Sequence, residues 1–162
     1  MAMTTYLQRV DDREIAALQR DPKSVTKLDK PGEHTHSTSF ACSLNYFIAG
    51  NAYPDPDDPF GNLTYGVAID CAALENGNFD VISPARVAAL APRLAEIDLD
   101  AIVEAVGEAD FELLIDDEEL YDLELVDEDE DVGKLIAQEA RALIEFHRQT
   151  AALGLGLVVY TT

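Results

Sequence analysis

The stretch from 132 to 152 constrains the fold most. Ile136, Ala140, Leu143, His147 and Ala151 recur at helical spacing there and form one stripe that needs a surface to cover it. Gly154 stops the helix, and Leu155 to Tyr160 then reads as a strand. The other end has matching character: Met3 to Val10, rich in β-branched and aromatic residues, reads as a first strand. Strands at both ends with helices between them predict an α+β fold, a mixed β-sheet including the N- and C-terminal strands with helices packed against it. A chain of 162 residues is the size of one domain, here 1–162, and can bury a core without staples.

Between the ends, the elements announce themselves unevenly. Asp11-x-x-Glu14 has the form of a capping box, so a helix starts there with Ile15 and Leu18 facing inward. Residues 21–38, with Pro22, Pro31 and Gly32, read as irregular. Phe40 to Ala49 is a compact apolar run closed by Gly50, expected to be a short buried helix, with a strand as the alternative. Residues 51–62 form a Pro/Asp loop. Tyr65 to Ile69 and Phe79 to Ile82 are short strand candidates, with an Asn76-Gly77 turn between them. Ser83-Pro84 opens a helix with Val87, Leu90, Ala91 and Leu94 on its apolar stripe, and Pro92 is a candidate kink. Asp98 or Asp100 caps another helix that runs through Val106.

Charge narrows the functional classes. The chain carries 32 acidic and 11 basic residues, net −21, and has no Lys or Arg between Arg93 and Lys134. Such a surface repels phosphate backbones, which argues against nucleic acid as a partner and favours a basic protein or a cation. Solubility in a salty or acidic-proteome cytosol is the plainer explanation. No apolar stretch approaches a membrane span, no leader is evident, and Cys42 and Cys71 sit among apolar residues, so a cytoplasmic protein with reduced thiols is expected.

Few residues carry recognisable chemistry. His34-x-His36 would place two imidazoles on one face of an extended segment, a partial metal site that Glu33 could extend; it equally reads as an exposed polar loop. His147 reads as a core histidine before it reads as a base. The acids after Pro54 fail as a calcium loop: counted from Asp55, the positions that need an oxygen ligand, Gly and Glu hold Pro59, Phe60 and Gly66. Gly154-Leu155-Gly156 follows a helix, whereas phosphate cradles precede one. No cofactor motif is present, so no cofactor is expected. Tyr46, Tyr53, Phe60 and Tyr65 are candidates to line a pocket, or simply core and loop anchors. The run Asp127, Glu128, Asp129, Glu130 and Asp131 is either a solvated loop or a partner-binding surface.

Several short motifs recur in a shared order: Leu28-Asp29-Lys30, Leu44-x-x-x-x-Ala49-Gly50, Asp58-Pro59-Phe60 with Gly66, Ile82-Ser83-Pro84-x-x-Val87, Leu120-Tyr121, and the helix ending at Gly154 before Leu157-Val158-Val159. In these the chain resembles the YfbM-like family of small bacterial proteins of unknown function. The resemblance implies the same α+β class and transfers no catalytic residue. The chain departs from the family in having no Trp, in placing Asn45 after Leu44, in Asp80 where an Arg is expected, and in an apparent insertion over 31–39 that contains both His34 and His36. Two functions remain open. One is a non-catalytic acidic interaction module, immunity- or antitoxin-like, that binds a basic protein. The other is a small-molecule binder or enzyme with a pocket near residues 40–66, with metal assistance as an option.

Overall fold

The computed structural model describes residues 3–52, 63–74, 77–127 and 129–162. Tyr53, Phe60, Asn76, Glu128 and most of the Pro/Asp loop lie outside them. The order is β1 (Thr5–Val10), α1 (Asp12–Arg20), two 3-10 turns (Pro22–Lys27 and Gly32–His34), β2 (Thr35–Thr38), α2 (Ala41–Ala49), β3 (Val67–Asp70), β4 (Asn78–Ile82), α3 (Pro84–Ala95), α4 (Leu99–Glu108), α5 (Phe111–Glu118), a 3-10 turn (Tyr121–Leu125), α6 (Val132–Ala152) and β5 (Gly156–Thr161). The fold is α+β, and both terminal strands are in the sheet.

The strands run in the order β2-β1-β5-β4-β3. Every pairing is antiparallel, so the sheet is not the mixed one expected. The reason lies in the helical excursion. The chain leaves the sheet at Ile82, and α6 returns it beside the same point, with Leu157 opposite Ile82. A strand that starts where its neighbour ended must run the other way. A second correction concerns 21–38, expected to be irregular. Its last residues form edge strand β2, with Thr38 opposite Thr5 and His36 opposite Leu7. Four residues are too few to show an alternating pattern in sequence.

Directly opposed residues share a face of the sheet. Leu7, Ile82, Leu157 and Val159 face a core built with Leu44, Val87, Leu90, Ile102, Ile136 and Leu143 from α2, α3, α4 and α6. Val10, Phe79, Val81 and Val158 face the other way, onto Ile15 and Leu18 of α1 and Val25 of the turn after it. A fully buried aliphatic side chain contributes about 1.5–3 kcal/mol, so the larger core anchors the fold.

The helix ends follow the sequence. Asp11 accepts the Glu14 amide at 2.8 Å while Glu14 accepts the Asp11 amide at 3.1 Å, the reciprocal box. Gly50 closes α2 at φ 88°. Ser83 and Asp98 cap α3 and α4, and α3 runs through Pro92 to Ala95. Asp131 caps α6 by accepting the Lys134 amide at 3.2 Å.

Gly156 begins β5 close against the end of β4. A Cβ there would sit 2.5 Å from the Ile82 carbonyl oxygen and 3.0 Å from the Pro84 ring, both fixed by the start of α3. Gly156→Ala is expected to cost about 1–3 kcal/mol, the usual range for overpacking, in urea denaturation. An unchanged midpoint would show that the β4–β5 contact can relax.

Candidate functional site

A cleft of about 680 Å³ lies over the face of the sheet that carries Val159, where β1 begins and β5 ends. Its floor includes Thr5, Asp80, Val159 and Thr161. Its walls are Ala41 and Cys42 at the start of α2, Thr64 to Gly66 before β3, and Glu119 to Leu125 between α5 and α6.

Asp122 joins two of these walls. α2 starts at Phe40 without a side-chain cap of its own. The amide of its third residue, Ser43, donates to Asp122 Oδ2 at 2.9 Å, and the Ser43 hydroxyl donates to Oδ1 at 2.6 Å. A carboxylate 79 residues away thus does the work of an N-cap, where the helix dipole favours negative charge. Just before it, Glu119 ends α5 with φ 57°, a left-handed conformation that is uncommon outside glycine. That bend turns Tyr121 outward to 57% exposure at the rim.

On the floor, Asp80 accepts the Gly66 amide at 3.2 Å and lies between Ala68 and Val159 across the strands. Burial pushes its carboxyl above the usual range, against the Gly66 bond. Burial likewise raises Asp122, opposed by its bonds to Ser43 and to the Cys42 amide. The Cys42 thiol is raised by burial and then by Asp122, so it is protonated and not an activated nucleophile. Its Sγ lies 3.9 Å from the Tyr65 hydroxyl. Thr64 is 2% exposed, and its hydroxyl has no hydrogen-bond partner among the described residues. Asp80, Glu119 and Asp122 are the charged groups among the described lining residues, all of one sign.

Of the stretch 40–66, Ala41, Cys42 and Thr64 to Gly66 line this cleft, and of the four aromatics singled out in sequence Tyr65 is the one among the described residues that does. Tyr46 is elsewhere: it packs edge-on against Phe47 and beside the Leu120–Leu123 cluster. Tyr53 and Phe60 lie outside the described residues. Sequence reasoning did not single out Asp122, which has many acidic neighbours and no local signature. Asp80 did leave a signal, as a departure from the resembled family.

The two histidines lie on different elements. His34 closes a 3-10 turn 3.6 Å from a Glu33 carboxylate oxygen. His36 is on β2, its ring 5.4 Å from that of Phe146, and its Nε2 is buried without a partner among the described residues. Among the described residues, no three His, Cys, Asp or Glu side chains converge as a metal site needs. Arg9, also buried, lies 4.4 Å over the Phe146 ring and donates to Thr150, the Glu33 carbonyl and Gln149. In the acidic run, Asp127, Asp129 and Glu130 are exposed, while Asp131 caps α6 and pairs with Lys134 at 3.3 Å. Glu128 is outside the described residues.

Residues 1–160 match a family described as a domain of unknown function, DUF1877. The fold is similar to the crystal structure of a protein of unknown function, YfbM from Escherichia coli: TM-score 0.63 and 14% identity, covering 97% of this chain and 98% of that one. No curated protein is significantly similar to the chain. Among the described residues, no helix is long and apolar enough to cross a membrane.

His147 belongs to the core beside this site. It is fully buried; its Nε2–H donates to the Leu63 carbonyl at 3.1 Å, which fixes Nδ1 as the unprotonated nitrogen. Burial, aided by the charge of His36 and opposed by the Leu63 bond, lowers its pKa to about 4. The unfolded value is about 6.5, so between the two the unfolded chain binds more protons. The stability it contributes is present above pH 6.5 and is lost as pH falls towards 4. In urea denaturation, the advantage of the native protein over His147→Gln should shrink by about 2 kcal/mol between pH 7 and pH 5. A difference independent of pH would contradict this assignment.

Proposed function

The chain belongs to the DUF1877 family, and for it we propose a ligand-binding role served by the cleft between the sheet and the α2 and α5–α6 walls. One observation carries the reading: a carboxylate in the cleft has bonding capacity unspent. Asp80 is half-buried and, among the described residues, accepts only the Gly66 amide. Buried polar groups are normally satisfied, so a site that leaves them open is suited to a ligand that completes them. The volume fits a small organic molecule. Cys42 and Cys71 are both free thiols, which supports a reducing, cytoplasmic setting.

A second reading is the acidic interaction module for a basic protein. Tyr121 and Leu125 support it, being 57% and 39% exposed at the cleft rim and followed by the exposed acids Asp127, Asp129 and Glu130. Apolar anchors ringed by one sign of charge suit a partner of the opposite sign. In that case Tyr121→Ala would abolish capture of the partner, whereas neutralising Asp127 and Asp129 would chiefly slow association and reduce its salt dependence.

The two readings part in a thermal-shift screen. Ala68 is exposed, lines the cleft and lies outside the core, so Ala68→Phe fills the cleft without disturbing the fold. A true ligand at about 100 times its Kd should raise the native Tm by about 5–10 °C, and Ala68→Phe should lose the shift. An equal shift in Ala68→Phe would place the ligand elsewhere and overturn the cleft reading.

A further inference from the structure

We propose that the cleft selects an organic cation, an ammonium or guanidinium group held against Asp80; this rests on the cleft being the ligand site. The charged groups among its described lining residues are Asp80, Glu119 and Asp122. They are not equivalent. Both oxygens of Asp122 are engaged by Ser43, so it contributes charge but few open lone pairs. Asp80 accepts only the Gly66 amide and forms no ion pair with a described residue, so it keeps acceptor capacity beside the apolar Ala68 and Val159. A half-buried carboxylate without a counter-charge is costly, and a cationic nitrogen both neutralises it and donates to it.

The shape of the cleft is the independent observation: about 680 Å³ with Asp80, Ala68 and Val159 among its lining residues can seat a whole ligand against the carboxylate. Tyr65 and Tyr121 also line the cleft, and aromatic rings attract cations as well as apolar stems. An anionic ligand would meet charges of its own sign, and a neutral one would leave Asp80 uncompensated. A bare metal ion is disfavoured because no three ligating side chains converge among the described residues. The volume instead suits a cationic head carried on an apolar body.

Three probes of matched shape separate the alternatives: 2-phenylethylamine, 2-phenylethanol and 3-phenylpropanoate, titrated into the isotope-labelled full chain at pH 7 and followed through backbone amides. The amine should move the amides of Thr64, Gly66 and Asp80 and bind at least about tenfold tighter than the alcohol, the size of one charge-assisted hydrogen bond; the acid should not bind. Asp80→Asn should remove the amine's advantage and leave the alcohol unchanged. If that variant does not fold, the order of the three probes on the native chain decides. Alcohol or acid binding as tightly as the amine overturns the cation inference and leaves the cleft as a neutral or anion site. Cleft amides unmoved by all three probes overturn the cleft reading and this inference together.

Discussion

The fold depends on the antiparallel pairing of β1 with β5. Six residue pairs, from Thr5 with Thr161 to Val10 with Gly156, join the two ends of the described chain next to the middle of the sheet. Nothing local favours this contact, and its loop-closure entropy is met only once side chains on both faces are buried. Leu7 and Val159 then complete the floor under α6, and Val10 and Val158 complete the smaller core under α1. Arg9 shows how strongly the arrangement is determined. A guanidinium buried on β1 is tolerated because the last turns of α6 bring Thr150, Gln149 and the Phe146 ring to it. α6 is therefore the clamp over the strand pair as well as the largest amphipathic surface.

The cleft is what remains where this clamp ends. α6 and its neighbours cover Leu7 and Leu157, but the opposite ends of β1 and β5 lie beyond them. That part of the face is bounded by α2 and by the chain after α5. Those walls hold through Asp122, whose two oxygens meet the Ser43 amide and hydroxyl. Burying a carboxylate to cap a remote helix costs desolvation, seen in its raised pKa, and is offset by charge-assisted bonds at a helix N-terminus. Asp80 bears a similar desolvation with only one backbone donor. The contrast between them distinguishes a carboxylate that builds the site from one left available within it.

How much of this was legible in sequence follows from the range of each interaction. The capping box at Asp11, the Gly50 stop, Ser83-Pro84 and the stripe of α6 depend on neighbours within a few residues, and the structure has them where the residues imply. β2 was missed because its order comes from pairing with β1, not from its own four residues. The sheet's antiparallel sense was missed because it depends on where α6 delivers the chain, which no local pattern records. The cleft was half legible: Tyr65 pointed to it, whereas Tyr46, with the same aromatic signal, packs against Phe47 instead. Asp122 was hidden because its role depends on Ser43, far away in sequence. At 14% identity to YfbM over nearly the whole chain, the similar fold accommodates different residues at most positions.

The large negative charge and the cleft act at different ranges. At physiological salt the Debye length is about 8 Å, so exposed acids such as Asp127 and Asp129 influence a bound group only from close by. They bias encounter with cations and raise the local cation concentration without fixing which cation stays. Asp80 is half-buried beside Val159, where screening is weaker and each hydrogen bond counts for more. Selectivity must therefore come from the floor of the cleft, while the acidic surface sets the rate of arrival. The same division explains why the composition, extreme as it is, could not identify the site: the carboxylate best placed to bind is one among 32 acids and differs from most of them only in what surrounds it.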